Sequence, residues 1–299
     1  MVKLLQRVVS PDHIDYDNGS EAAASKAHEY THGITSDPLT QFAVVFCALI
    51  HDVDHTGVAN GQLVKENAPV ATHYSNKSVA EQNSIDLAWD LLMDDKFEDF
   101  RRCIFVNESE FKRFRQIVVN VVLATDIFDK ELSELRKARW TKAFSPEAKE
   151  EAPIESAIIQ GNRKATIIIE LFIQASDVSH TMQHWDIYRK WNEKLFFEMF
   201  SAYKSGRTTS DPSEGWYKGE IWFFDNYVIP LAKKLKDTGV FGVSSDECFN
   251  YATENRRLWA DRGEQIVQDM IAVDYFGRLK EEAKEKRSRR RMIKNQSLG

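Results

Sequence analysis

Residues 36–57 read SDPLTQFAVVFCALIHDVDHTG, and the change of character partway along this stretch decides how the rest of the chain is read. In its first part Leu39, Phe42, Ala43, Phe46, Leu49 and Ile50 recur with a period near 3.6 residues, which predicts one apolar face of a helix. Ser36 or Asp37 stands where a side-chain oxygen can cap that helix. Pro38 occupies its first turn, where a missing N–H costs nothing. The second part, His51 to His55, puts two histidines and two aspartates into five consecutive positions at the end of the apolar run. Packing requirements do not call for such a density. Neutral imidazole suits Zn2+ and a carboxylate can bridge two cations, so an adjacent His51–Asp52 pair at a helix end can anchor a binuclear metal centre.

Outward from this stretch the same period returns over 111–125, 164–176, 187–203, 220–236 and 247–272, each long and apolar enough to predict a packed helix. No run of alternating strand residues competes with them. The expected fold class is therefore all-α, a compact multi-helix bundle. Loops are expected over 12–20, over 60–76 around Pro69, over 145–153 and over 205–215, and none is long enough to link separate domains. A chain of 299 residues with 42% hydrophobic content can bury one large core. The expected organisation is one domain over 1–279 and a basic, disordered tail over 280–299, whose Arg287, Arg289, Arg290 and Arg291 read as a solvated end. A targeting or acidic-partner role for that tail is the alternative.

With 46 acidic against 40 basic residues, the net charge of -6 argues against general affinity for nucleic-acid backbones. An anionic substrate then needs a local cation, such as a metal. No apolar run reaches the roughly 18 residues of a membrane span, and the start has no signal-peptide pattern. The expected segment is soluble and cytoplasmic, although a longer chain could add a regulatory or membrane-associated part. Cys47, Cys103 and Cys248 are odd in number and widely spaced, so they read as core or incidental thiols.

His51 and Asp52 need further ligands, and Asp177 in IQASDVSH is the best placed, since Ile167 to Phe172 lead an apolar run up to it. Alone, Asp177 has two readings, a ligand or the N-cap of the next helix. With His51 and Asp52 in hand, the ligand reading gains.

Here the sequence resembles the class I cyclic nucleotide phosphodiesterases, from Val2 to about Ala272. The ordered motifs are SDPLTQFAVVFCALIHDVDHTGVAN, NKSVAEQNS, VVLATDIF, ASDVSHTMQHWDIYRKW, GEIWFFDNYVIPLA and ENRRLW. The resemblance implies a helical bundle with a deep pocket holding two metal ions, Zn2+ and Mg2+ or Mn2+, and hydrolysis of 3′,5′-cyclic nucleotides by a metal-activated hydroxide. It implies His51, Asp52 and Asp177 as metal ligands, with Asp52 bridging. His55 matches a histidine that orients water and phosphate, and Glu81 and Thr125 match residues that bond metal-held waters. Phe223 matches an aromatic that stacks on the purine, and Leu195 a residue of the opposite wall.

Three departures qualify the resemblance. The family's HNxxHA motif, source of the general acid and of another zinc ligand, does not occur, and the chain starts just downstream of its expected place, as if the domain's N-terminal edge were missing. Loss of a general acid forfeits about a hundredfold to ten-thousandfold in rate, so an impaired or inactive nucleotide- and metal-binding module is the alternative function. Glu220 stands where the family generally places a glutamine on the purine edge. An ionised carboxylate only accepts hydrogen bonds, which suits the N1–H and amine of guanine and favours cyclic GMP. Asn83 and Ser84 stand where many members carry histidines. A zinc protease is also literally spelled by His28-Glu29-Tyr30-Thr31-His32, yet Gly33 follows at once and ends the helix that such a site needs. Another phosphohydrolase acting on linear nucleotides fits the GEIWFF and ENRRLW motifs less well.

Overall fold

The computed structural model describes residues 1–8, 28–144 and 154–272, with side chains undescribed at 154–158 and 243. The tail at 280–299 and the loops expected over 12–20 and 145–153 lie outside the described residues. Among the described residues the regular structure is helical throughout, as expected. The elements are α1 (Val2–Gln6), α2 (Pro38–Ile50), α3 (Asn60–Lys65), α4 (Pro69–His73), α5 (Val79–Met93), α6 (Glu98–Ile104), α7 (Glu108–Leu123), α8 (Lys130–Phe144), α9 (Ile154–Asp177), α10 (Trp185–Lys204), α11 (Trp216–Phe223), α12 (Ile229–Thr238) and α13 (Glu247–Ala272).

Helix α2 starts where the sequence places it, and Asp37 rather than Ser36 is the cap. Its Oδ1 accepts the Thr40 N–H at 3.2 Å and its Oδ2 the Thr40 hydroxyl at 2.6 Å, satisfying donors that the first turn leaves free. Arg113 of α7 pairs with the same carboxylate. The buried stripe is Thr40, Ala43, Val44, Cys47 and Ile50, rotated from the expected face, and Leu49 is 78% exposed. Small residues on that stripe let α2 approach α7. The larger rings of Phe42 and Phe46 cover the flank, their centroids 6.0 and 5.7 Å from Phe114.

Helix α9 is the axis of the bundle. Ile168, Phe172 and Ile173 are wholly buried, and α9 packs against α2, α7, α8 and α12. Over 167–175 it is buried on every side, as a central helix requires, and it carries Asp177 at its last position to the end of α2. Helix α13 closes the other side against α11, α12 and a 3-10 turn, Ser179–Met182. Its buried Asn255 donates to the carbonyls of Thr181 at 2.9 Å and Gln183 at 2.7 Å, which pins the chain just beyond Asp177. Arg256 grips Asp225 through two bonds of 2.9 and 2.7 Å.

Two expectations are corrected. The stretch 60–76 holds α3 and α4 rather than a loop, because Pro69 starts a helix instead of breaking one, and Val58, Leu63, Ala71 and Val79 form a small core of their own. The helix expected over 220–236 is divided by a π-helical turn, Phe224–Val228. Pro230 has no N–H and its ring crowds the carbonyl four residues back, and one widened turn relieves that clash. Helices α5 and α8 were not expected. In α8 Ala143 is the only buried residue, so it lacks the apolar stripe by which such helices are read.

Candidate active site

The last turn of α2 delivers His51 and Asp52, and the chain then reverses, with Asp54 at φ 64° and Gly57 at φ 75°. That reversal is held from α5: the Ser84 hydroxyl donates to the Val53 carbonyl at 2.8 Å, and the Asn83 amide to Asp54 at 3.3 Å. The two departures from the family's histidines thus brace the turn that carries His51 and Asp52. Asp177 ends α9, and no side chain caps the turn that follows it, so its N-cap reading fails.

His51 Nε2 lies 3.4 Å from Asp52 Oδ2 and 3.5 Å from Asp177 Oδ1. One ligand atom from each of the three residues falls within 4.8 Å of the others. Ligands around one tetrahedral cation at about 2.0 Å stand about 3.3 Å apart, so the donor set fits a divalent metal. His51 Nδ1 faces the Ala48 carbonyl at 3.1 Å. As a donor there it leaves the Nε2 lone pair toward the carboxylates. The Asp177 hydrogen bond, together with the charges of both carboxylates, overrides burial and holds the His51 pKa above the ordinary histidine value, which measures how strongly this spot favours positive charge.

Beside the cluster Asn60 joins two carboxylates. Its amide donates to Glu81 at 2.8 Å and to Asp126 at 3.3 Å, while its carbonyl accepts the Ala80 N–H at 2.9 Å. Burial first, then the Asp126 charge, raise the Glu81 pKa, against the opposing Asn60 bond and the nearby charge of His55. Thr125 adjoins Asp126 at the end of α7 and donates to the Val122 carbonyl at 2.7 Å. His55 is exposed, and its Nδ1 accepts the Gly57 N–H at 3.3 Å.

The second polar group lies between α10 and α11. The Tyr188 hydroxyl donates to Glu220 at 2.8 Å, the Asn192 amide reaches that hydroxyl at 3.5 Å, and the Trp216 indole donates to Asn192 at 3.1 Å. Burial pushes the Glu220 carboxyl up to about 7, and the bonds from Tyr188 and Asn192 restrain it. Phe223, one turn along α11, stacks on Tyr227 at 5.3 Å and 20°, and Leu195 stands 43% exposed on α10.

Sequence reasoning missed Asn60, Asp126, Tyr188, Asn192 and Trp216. Asn192 carried a readable signal: it falls between Tyr188 and Phe196 at i, i+4 spacing on a buried stripe, and a polar residue there demands a partner. The HExxH pattern is dismantled as expected. His28 bonds the Ser36 hydroxyl at 2.6 Å and Gly33 turns at φ 80°.

The family model described as 3′5′-cyclic nucleotide phosphodiesterase matches residues 24–240. The human dual specificity calcium/calmodulin-dependent 3′,5′-cyclic nucleotide phosphodiesterase 1C is 31% identical over 159 residues, 53% of this chain and 20% of that protein. The probable 3′,5′-cyclic-AMP phosphodiesterase pde-4 of Caenorhabditis elegans is 28% identical over 238 residues, 75% of this chain and 33% of that protein. The chain thus spans a fifth to a third of the length of these relatives. In fold it is similar to the phosphodiesterase domain of Salpingoeca rosetta rhodopsin phosphodiesterase, with TM-score 0.61 and 20% identity over 81% of this chain and 74% of that one. With most of its length matched by the family model and its helices arranged as in that domain, the chain belongs to the 3′,5′-cyclic nucleotide phosphodiesterase family.

Proposed function

We propose that this chain hydrolyses 3′,5′-cyclic nucleotides to 5′-monophosphates, with cyclic GMP favoured over cyclic AMP, and that it takes zinc together with magnesium or manganese. The observation that carries the reading is the meeting of His51, Asp52 and Asp177 at 3.4 and 3.5 Å beside the Asn60–Glu81–Asp126 group. When bound, the cations supply charge neutralisation at the phosphodiester and a water acidic enough to attack phosphorus. The chain's own residues do the rest. His51, Asp52 and Asp177 hold the metals, and exposed His55 orients the phosphate and the attacking water. Glu81 and Thr125 take hydrogen bonds from water, with Asn60 keeping the Glu81 carboxylate aimed.

At the other end Phe223 offers its face to the purine and Leu195 forms the opposite wall. Tyr188 and Asn192 orient the Glu220 carboxyl, which reads the base edge. Ionised, that carboxyl accepts from guanine N1–H and the exocyclic amine; adenine presents a bare acceptor at N1 and pairs with it poorly. We place the activity in the cytoplasm, in keeping with three cysteines that are all free.

A module that binds metal and nucleotide without turnover is the second reading, favoured by the single imidazole in the cluster. The test is hydrolysis of both nucleotides with zinc and magnesium, by this chain and by a version extended ahead of Met1 with an HNxxHA segment. Met1 lies against Ser176, its sulfur 3.9 Å from the hydroxyl, one residue from Asp177, so such a segment enters beside the cluster. Turnover in either version supports the hydrolase. Folded, metal-loaded protein without turnover in both overturns it in favour of the binding module.

A further inference from the structure

A cleft of about 180 Å³ opens between α8, α9, α12 and the π-helical turn. It includes none of the residues assigned above to metal, phosphate or purine. Such a volume holds about six waters or one small organic molecule.

Its charge is unbalanced. Glu170 is the carboxylate of the lining, and it is buried and already paired with Arg139 at 2.7 Å. Three cations, Arg136, Lys137 and Lys234, face the same space, and among the described residues none has a carboxylate within 4.0 Å. Arg136 spends its donors on the carbonyls of Asp126 at 3.1 Å and Leu123 at 3.5 Å, while the Lys234 ammonium sits 5.6 Å from the Trp140 ring centre. Burial first, and then the neighbouring positive charges, lower the Lys234 pKa.

The hydroxyl of Tyr227 is an independent sign. Tyr227 lines the cleft, and its hydroxyl is buried and, among the described residues, has no hydrogen-bond partner. A buried donor without a partner costs about 1–3 kcal/mol, a cost that an acceptor arriving from outside removes. The rest of the wall is mixed: Trp140, Ile167 and Leu171 supply an apolar strip beside the polar Ser133, Gln174 and Asn226.

We propose that this cleft is a second ligand site, built for a small organic anion with a phosphate or carboxylate head and an apolar body. The head meets Arg136, Lys137 and Lys234 and accepts from Tyr227; the body lies on Trp140. Occupancy is coupled to the candidate active site through backbone, because Arg136 holds the Asp126 carbonyl and Gln174 holds the Ala124 carbonyl at 3.0 Å, on either side of Thr125.

The test reads binding, so it does not depend on the chain being a hydrolase. Phenyl phosphate, benzoate and uncharged benzyl alcohol are titrated calorimetrically into the 299-residue chain in EDTA. At least one anion is expected to bind with one-to-one stoichiometry, and which of the two binds tighter identifies the preferred head. Benzyl alcohol should bind at least about tenfold more weakly, and Lys137→Gln/Lys234→Gln should weaken the anion by about tenfold or more. His51→Ala should leave it unchanged. Tyr227→Phe should weaken the anion by a few-fold while leaving the free protein as stable or slightly more so, since the lost hydroxyl had no partner. Absence of saturable binding overturns the proposal, as does binding indifferent to both the lysine pair and Tyr227, or binding abolished by His51→Ala.

Discussion

The two polar groups of the candidate site treat charge in opposite ways. At the candidate metal end His51 stands between two carboxylates, Asp52 exposed and Asp177 partly so, and among the described residues no other cation pairs with either of them. At the purine end a single carboxyl, Glu220, is enclosed by the neutral donors Tyr188 and Asn192, with Trp216 behind them. The first arrangement leaves negative charge over, which is what attracts a divalent cation. The second matches donor to acceptor, which favours the ionised carboxylate, while burial shifts the carboxyl toward its neutral form. On the proposed function, binding strength would come at one end from unpaired charge, and selectivity at the other from paired hydrogen bonds.

The largest effect should come from breaking the metal end. Asp177→Asn keeps the shape but removes a charge, and zinc affinity measured by competition with a chromogenic chelator should fall by more than about a hundredfold. The fold should survive, because the change relieves repulsion between Asp177 and Asp52. Retained affinity would mean that the cluster is not the metal site.

Next in size is the pH dependence of base choice. Glu220 ionises around pH 7, so the ratio of kcat/KM for cyclic GMP over cyclic AMP should rise on the order of tenfold between pH 6 and pH 8, and Glu220→Gln should flatten that profile. Stability supplies a check with the opposite sense. A carboxyl whose folded pKa is raised contributes stability at low pH that is lost as pH climbs from the unfolded value near 4.5 through about 7. Glu220→Gln should therefore raise Tm by a few degrees at pH 8 and lose that advantage toward pH 4.

Tyr188→Phe sharpens the same comparison by removing a donor that favours the ionised carboxylate. The midpoint of the selectivity profile should move to higher pH by up to about one unit, while a lower midpoint would show that Tyr188 does not donate to Glu220. The smallest expected effect is at the border between the ends: Asn60→Ala removes the amide shared by Glu81 and Asp126, and urea unfolding should show a loss of about 1–2 kcal/mol.

Legibility in the sequence followed the same divide. His51 and Asp52 are neighbours at the end of an amphipathic run, so residue type and position sufficed to single them out. Asp177 was readable only as a ligand or a cap, and the structure removes the cap reading while the packing of α9 against α2 sets its carboxylate 3.5 Å from His51. The five missed residues are ordinary polar or aromatic residues whose importance comes from partners remote in the chain. Asn60 and Asp126 are separated by 66 positions, and Tyr188 and Glu220 by 32.

Within the fold, α13 was read with the bounds it has, 247–272, because its apolar positions keep period over many turns. The split at Phe224–Val228 was hidden, since the pattern runs on through Pro230 while the backbone does not. The stripe of α2 was misjudged because period alone ranks Leu49 with Phe46, whereas the close approach of α7 selects the smaller Ala43, Val44 and Cys47 for the interior.

By itself, then, the sequence determined the helical class, the place of amphipathic helices such as α2 and α13, and the density of ligand-type side chains at His51 and Asp52, all of which depend on order along the chain. Only the tertiary structure decided that Asp177 lies 3.5 Å from His51, that Glu220 sits among neutral donors, and that Arg136, Lys137 and Lys234 share a cleft. Helical period limits which residues can share a face, but which face is buried, and the distance between groups on different helices, are determined by how their side chains interlock.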